Sequence, residues 1–347
     1  MAYKVTLQPS GHTFETAPGE SILRNGLNAG LSIPFSCKQG VCRSCRGLLV
    51  EGDVDLGDVH PAYLPEDLRA KGFIHLCQAS ALSDIVVEIK ELEGFAGVTV
   101  RKVPCRIAKI ETPAPNVKII HLRLPMNENM MFVAGQHIEL MLPGDLRRTY
   151  SIASAPKVDG VTALELHIRQ IPGGAFTDGL LPRMKERELL KFEGPLGSFH
   201  LRNSDKPAIM VATGTGFAPI KSMLEAAFER GLEKTRVFTL YWGARTRCDL
   251  YMYDLPKAWE AEHPGFRFIP VLSDPTADCN WTGRTGLVHE AVLGDHPDLS
   301  QAEVYACGAP AMIEAAQRDF IGKADLPETH FFSDPFLTQA DVATNEK

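Results

Sequence analysis

The chain of 347 residues lacks any apolar run approaching the eighteen or more residues of a membrane span. It also lacks a surplus of basic charge: 36 Lys and Arg stand against 43 Asp and Glu, for a net charge of −7. A protein that grips a phosphate backbone needs a concentrated basic surface, so nucleic acid is not an expected partner. The opening Met1-Ala-Tyr-Lys4 has no apolar leader core and runs straight into an alternating strand. A cytoplasmic, reducing compartment is therefore expected. Internal repeats and low-complexity segments are absent, and no Ser-His-Asp or paired-carboxylate arrangement competes for a hydrolytic role. The length predicts two or three domains, each with its own core.

Cysteine, by contrast, is present in a pattern. Cys37, Cys42 and Cys45 share one short loop with C-x4-C-x2-C spacing, and Cys77 follows at a distance. This spacing holds a plant-type [2Fe–2S] cluster. Two irons and two sulfides need four thiolates around a small volume, and a short loop supplies three while turning backbone N–H groups toward the sulfurs. Gly40 lets the backbone pass close by without a Cβ. Structural zinc also takes four thiolates, but usually as two close pairs in sequence. A disulfide set conflicts with a reducing compartment. Gln78 and Ala79, then Ile85–Ile89, read as a loop and edge strand carrying the last ligand. The other cysteines, Cys105, Cys248, Cys279 and Cys307, are expected to be free.

Three modules follow one another. Residues 1–92 form the cluster domain, with strands near Tyr3–Leu7 and Thr13–Phe14 and a short helix over Glu20–Gly30 closed by its glycine. Residues 93–100, with two glycines and acidic neighbours, read as a linker. Residues 101–203 carry alternating strands at Lys118–Leu124, His137–Leu142 and Leu164–Arg169, separated by Pro-Gly turns, as in an antiparallel barrel. From 204 to 336 the rhythm becomes apolar strand, helix, apolar strand, the mark of a parallel α/β sheet. Residues 337–347 are a polar tail.

Arg148-Thr149-Tyr150-Ser151 meets three demands of a flavin: a cation for its phosphate, an aromatic face for its ring and a hydrogen-bond partner for its edge. Alternation puts Arg148 and Tyr150 on one side, and the strand end turns Ser151 to the same pocket. Taken alone the motif is also compatible with an ordinary surface strand. Its surroundings sharpen it: His167-Ile168-Arg169 lies on the next strand, and Gly173-Gly174-Ala175-Phe176-Thr177 opens a helix suited to a pyrophosphate. Thr213-Gly214-Thr215-Gly216 follows a buried strand, with Pro219 at the third glycine's place of a dinucleotide fingerprint. A simple strand-to-helix turn is the alternative there. Cys307-Gly308-Ala309-Pro310 repeats the design, although Cys307 alone reads equally as a small buried hydrophobe. Gly243, Arg245 and Asp249 are placed at the adenosine ribose. Asp249 would accept from a 2′-OH and favour NADH, whereas Arg245 and Arg247 would favour the 2′-phosphate of NADPH.

In this order the motifs resemble the reductases that fuse a plant-type ferredoxin to a flavin and nicotinamide module of the ferredoxin–NADP reductase superfamily. Within it the chain is similar to the CDP-6-deoxy-delta-3,4-glucoseen reductases and to the reductase components of bacterial oxygenases. The resemblance implies a β-grasp [2Fe–2S] domain, an antiparallel FAD barrel and a parallel α/β nicotinamide domain, hence a multidomain α+β and α/β protein. It implies FAD rather than FMN, with Tyr150 and Phe336 on the two faces of its ring. It also places Cys307 and Asp334 near the nicotinamide, which with Ser151 makes three orienting residues in the catalytic site. Arg43 departs from the Gly or Ser of many relatives and is expected to set a positive charge at the cluster's exposed edge.

The expected activity is electron splitting: two electrons enter from NADH, pass through FAD, and leave singly through the [2Fe–2S] cluster to a partner. The partner is a terminal oxygenase or a nucleotide-sugar dehydratase, and the chain is expected to be a monomer. Two rivals remain. One is an iron–sulfur redox sensor, which the absence of a DNA-binding pattern disfavours. The other is a flavin reductase with a free acceptor, which leaves the first ninety residues without a use.

Overall fold

The computed structural model describes residues 2–92 and 98–336, so most of the expected linker and all of the expected tail lie outside the described residues. The chain divides into two compact units. One comprises the residues up to Thr99 with Gly197–Phe199, and the other comprises Val100–Leu196 with His200–Phe336. All eight cysteines are free of disulfides.

The first unit contains β1 (Tyr3–Gln8), β2 (Thr13–Thr16), α1 (Ile22–Asn28), β3 (Arg46–Glu51), β4 (Val54–Asp55), α2 (Glu66–Ala70), β5 (Phe73–His75), β6 (Ser80–Ala81) and β7 (Ile85–Glu88). Its main sheet has the order β2-β1-β7-β3-β5. Ser21 caps α1 by accepting from Arg24 N–H, and Gly30 follows the helix at φ 83°. The expectation of an edge strand at Ile85–Ile89 is corrected. β7 runs parallel to β1 on one side and antiparallel to β3 on the other, which makes it the central strand. Alternation explains the misreading, because Ile85 and Val87 are buried while Val86 and Glu88 point outward, a pattern shared by edge and centre. The true edge is β5, and Cys77 lies in the turn beyond it.

The second unit begins with an antiparallel barrel of β8 (Arg101–Ala114), β9 (Val117–Arg123), β10 (His137–Met141), β11 (Arg147–Ser151), β12 (Ala163–Arg169) and β13 (Leu189–Leu196). The order is β11-β10-β13-β8-β9-β12. It closes where Ile152 bridges Leu166 and Ala153 N–H donates to Glu165 O at 2.8 Å. Leu164, Leu166 and Ile168 of β12 all point into the barrel core, so Glu165, His167 and Arg169 share the outer face. Cys105 is part of that core, and burial pushes its thiol up to about 12.

The parallel sheet follows: β14 (Ala208–Thr213), α3 (Phe217–Glu229), β15 (Phe238–Ala244), α4 (Asp254–Glu262), β16 (Phe266–Leu272), β17 (Arg284–Thr285), α5 (Val288–Asp295), β18 (Glu303–Gly308), α6 (Pro310–Lys323) and β19 (Phe331–Pro335). Its order, β17-β16-β15-β14-β18-β19, shows the chain stepping outward from β14 and then returning to its other side. Helices cover both faces, which is why β14 and β18 read as unbroken apolar runs. At the amino end of the strands sits a buried ion pair. Arg236 donates to Glu303 at 2.8 Å and to the carbonyls of Lys206 and Arg202, and Tyr305 O–H donates to Glu303 at 2.5 Å. Losing one partner strands a buried charge, so Arg236→Met should destabilise the chain by about 3–5 kcal/mol in denaturant titrations. Adding Glu303→Leu should recover much of that loss.

Candidate functional site

The first unit gathers its four cysteines as two pairs. Cys37 N–H donates to Cys42 Sγ at 3.4 Å, Cys42 N–H to Cys37 Sγ at 3.3 Å, and Gln39 N–H to Cys37 Sγ at 3.3 Å. Hydrogen bonding to Cys37 draws the Cys42 thiol down to about 6, while the Cys42 side chain and burial push Cys37 up. In the second pair the hydrogen bond with Cys77 pushes Cys45 up and the same bond lowers Cys77. A [2Fe–2S] cluster takes four thiolates, two on each iron, and two pairs fit that demand. One zinc ion would need all four around a point. Among the described residues no group of three or more His, Cys, Asp or Glu side chains is arranged for a single metal ion.

Gly40 sits at φ 76°, with the Cβ it lacks directed at Gln78 and Val59. Gln78 in turn donates to Lys38 O at 3.0 Å, which fastens the cysteine loop to the Cys77 turn. Arg43 does not simply project as a rim charge. It is half-buried at φ 62°, and its guanidinium donates to Ala62 O at 3.0 Å. Such a left-handed φ is one that a glycine adopts without strain and an arginine seldom does.

In the second unit, Arg148 and Tyr150 share one side of β11, opposite Leu140 and Ile138 of β10, as expected from alternation. Thr149 is exposed on the other side and Ser151 is buried at the strand's end. Tyr150 packs half-buried against the barrel, with the Phe176 ring centroid 5.8 Å away. Phe176 and Ile168 were expected among the flavin contacts, but their side chains lie in the barrel core, which leaves only their backbone for a ligand. The expected helix after Gly173 is a single wide turn, Ala175–Leu180. Thr177 closes that loop on itself: its hydroxyl donates to Ile171 O and accepts from Ile171 N–H, both at 3.2 Å. Gly174 is compelled, because a Cβ there would collide with Thr177 Oγ1. Gly173, at φ 76°, has open space where its Cβ would stand.

The two glycine motifs of the parallel sheet converge. β14 and β18 are neighbours with Ala212 opposite Cys307, so Thr213–Gly216 and Cys307–Pro310 leave the same end of the sheet side by side. Ala309 N–H donates to Thr213 Oγ1 at 3.0 Å. A Cβ on Gly216 would strike the Cys307 carbonyl, and one on Gly308, at φ 129°, would strike Thr213. Pro219 and Pro310 stand in the first turns of α3 and α6, where a missing N–H costs nothing. This is the carboxyl end of the strands at the point where strand order reverses, the usual crevice for a dinucleotide. Arg169 of the barrel reaches it, with Nη1 3.5 Å from where a Gly214 Cβ would be.

Cys307 faces Asp334 across β18 and β19, and burial followed by the Asp334 charge pushes its thiol far up. Phe336 N–H donates to Gly308 O at 2.8 Å, which brings that aromatic to the same loop. Phe332, by contrast, is stacked on Tyr305 at 5.0 Å and lies under Arg202. Gly243 is buried where a Cβ would crowd Val288. The Asp249 carboxylate is engaged by Thr246 at 2.9 and 3.1 Å and by Asn116 at 3.4 Å, so it does not stand free as expected. Arg247 lies over the Tyr253 ring at 3.7 Å, while Arg245 is exposed.

Three family matches run along the chain in this order: a 2Fe-2S iron-sulfur cluster binding domain over 5–82, an oxidoreductase FAD-binding domain over 104–201 and an oxidoreductase NAD-binding domain over 210–318. The CDP-6-deoxy-L-threo-D-glycero-4-hexulose-3-dehydrase reductase of Yersinia pseudotuberculosis is 40% identical, over 97% of this chain and 99% of its own. The chain belongs to the ferredoxin reductase family of iron–sulfur flavoproteins. The reductase component of a Pseudomonas phenol 2-monooxygenase is 35% identical over 99% of this chain and 97% of its own. A cytochrome P450 reductase of Amycolatopsis has the same fold, with TM-score 0.79 and 32% identity over 96% of this chain and 98% of its own. As a member of this family the chain is an NAD(P)H-dependent oxidoreductase. It passes electrons from the nicotinamide through FAD and a [2Fe–2S] cluster to a partner protein.

One cluster of side chains in this reductase had no signal in the sequence. His167, expected to touch the flavin, is buried, and its ring bonds Tyr251 O–H and Glu165, both at 2.7 Å. Lys221 of α3 adds an ammonium 3.3 Å from Glu165 and 2.8 Å from Glu225. Burial pushes the Glu165 carboxyl up, but the His167 hydrogen bond and the Lys221 charge overcome it and leave it at about 2. A carboxylate held below its unfolded value stabilises the fold above pH ~4.5, and that contribution disappears as pH falls toward ~2. Comparing urea unfolding of the wild type with Glu165→Gln should show a difference on the order of 3 kcal/mol near neutrality, shrinking across that window.

Proposed function

We propose that FAD is held on the face of β11 that carries Arg148 and Tyr150. Arg148 takes a phosphate, Tyr150 one face of the ring and Phe336 the other, with Ser151 at the ring edge. The backbones of Thr149, His167, Ile168 and Arg169, the Arg169 side chain and the Gly173–Thr177 loop hold the rest, through Gly174 and Ala175 as well as Phe176. When bound, this flavin accepts two electrons together and releases them singly. The nicotinamide dinucleotide occupies the crevice of Thr213–Gly216 and Cys307–Pro310. There the neutral Cys307 thiol and the Asp334 carboxylate orient the ring without attacking it. The convergence of these two glycine motifs where strand order reverses is the observation that carries the reading. Cys37, Cys42, Cys45 and Cys77 hold the cluster.

If the cluster is the exit for electrons, Cys42→Ser should lose iron, keep FAD and reduce ferricyanide with NADH within about twofold of the wild type. Reduction of cytochrome c should fall at least tenfold. Undiminished cytochrome c reduction would place the exit at the flavin.

The same reading favours NADH over NADPH. Arg247 is drawn onto Tyr253 and away from a 2′-phosphate, while Asp249 keeps a negative charge at the end of β15. The ratio of kcat/KM for the two nucleotides should exceed about ten in favour of NADH, and a ratio below one would overturn the assignment. For the acceptor we favour a nucleotide-sugar dehydratase over a ring oxygenase, on the greater full-length identity to the hexulose dehydrase reductase.

A further inference from the structure

We propose that Tyr251, through its hydrogen bond to His167, is a positioning residue that sets the nucleotide loop Thr213–Gly216 against the flavin barrel for electron transfer. The inference rests on the assignment of that loop to the nicotinamide dinucleotide.

The hydrogen bonds have a fixed direction. Glu165 is an ionised carboxylate and can only accept, so His167 Nε2 carries the proton and donates to it. Burial keeps the imidazole neutral, which leaves Nδ1 as an acceptor for the Tyr251 hydroxyl at 2.7 Å. The Tyr251 ring then meets the Trp242 ring edge-on, with centroids 5.3 Å apart and planes at 89°. Phe217 stacks on the other part of Trp242 at 4.1 Å. Trp242 Nε1–H donates to Gly214 O at 3.0 Å. A continuous buried relay thus runs from β12 of the barrel to the first glycine of the nucleotide loop.

The hydroxyl has no packing task, since a phenylalanine ring would fill the same space. A buried hydroxyl needs a partner, and this one finds it across the junction between barrel and parallel sheet. A misplacement of about 1 Å between reacting groups can cost on the order of a hundredfold in rate. A bond that fixes the register of loop and barrel therefore acts on the rate of transfer more than on nucleotide affinity.

The test uses the full chain with its FAD and cluster, and compares Tyr251→Phe with the wild type. Stopped-flow bleaching of the flavin by NADH should show the limiting rate constant reduced about tenfold and the NADH Kd unchanged within twofold. FAD content should stay at the wild-type value, and the melting temperature should fall by only a few degrees as His167 Nδ1 loses its donor. Hydrogen–deuterium exchange, read without nucleotide, should rise at the amides of Gly214–Phe217. Trp242→Phe, which breaks the next link, should raise exchange at the same amides, and it serves where Tyr251→Phe fails to fold. A limiting rate within twofold of wild type, a Kd that rises as much as the rate falls, or unaltered exchange in both variants overturns the proposal. Gly216→Ala separates the underlying assignment: it should raise the NADH Kd more than tenfold, and an unchanged Kd refutes the site while leaving the Tyr251 comparison to be judged on its own.

Discussion

Two backbones touch at one point in the parallel sheet, and the nicotinamide half of the protein depends on that touch. Gly216 leaves β14 directly against the carbonyl of Cys307, and Gly308 leaves β18 against Thr213. Neither residue can carry a side chain without pushing the strand ends apart. Parallel pairing of Ala212 with Cys307 brings the ends level, and the reversal of strand order opens a crevice between them. β19 then adds Asp334 beside Cys307 and hands on Phe336, so one backbone contact organises residues separated by more than a hundred positions in sequence.

The cluster loop obeys the same logic with different means. Close approach at Gly40 lets Gln78 bind the carbonyl of Lys38, and the thiols settle into two pairs. Arg43 is the exception, a large side chain on a left-handed backbone, retained with its guanidinium on the loop that ends at Leu64. That guanidinium donates to the Ala62 carbonyl.

Much of this was legible in the sequence because it depends on local spacing. The cysteine loop, the alternation of Arg148 with Tyr150 and the two glycine motifs are short-range patterns, and each emerged where expected. What failed to show were relations set by the fold. The centrality of β7 depends on which strands flank it, and its alternation is that of an edge strand. Phe176 and Ile168 sit in motifs read as flavin contacts, yet their side chains turn into the barrel core. The His167 side chain is bound by Tyr251 and Glu165, and Trp242 and Lys221 pack against those two from positions far along the chain. Asp249 looked like a free acceptor, but Thr246 in its own turn takes one carboxylate oxygen and Asn116, far away in the chain, takes the other.

The buried thiol of Cys307 has a consequence for durability. A carrier of single electrons that meets dioxygen reduces it to superoxide, which dismutates to peroxide, and thiolates are the groups peroxide attacks first. Cys307 stands at the carboxyl end of β18, yet it is sealed from solvent and kept protonated by burial and by Asp334. Like Cys105 in the barrel core, Cys307 is therefore a chemically quiet sulfur. Cys248, exposed on the turn after β15, is where oxidative wear would be recorded first.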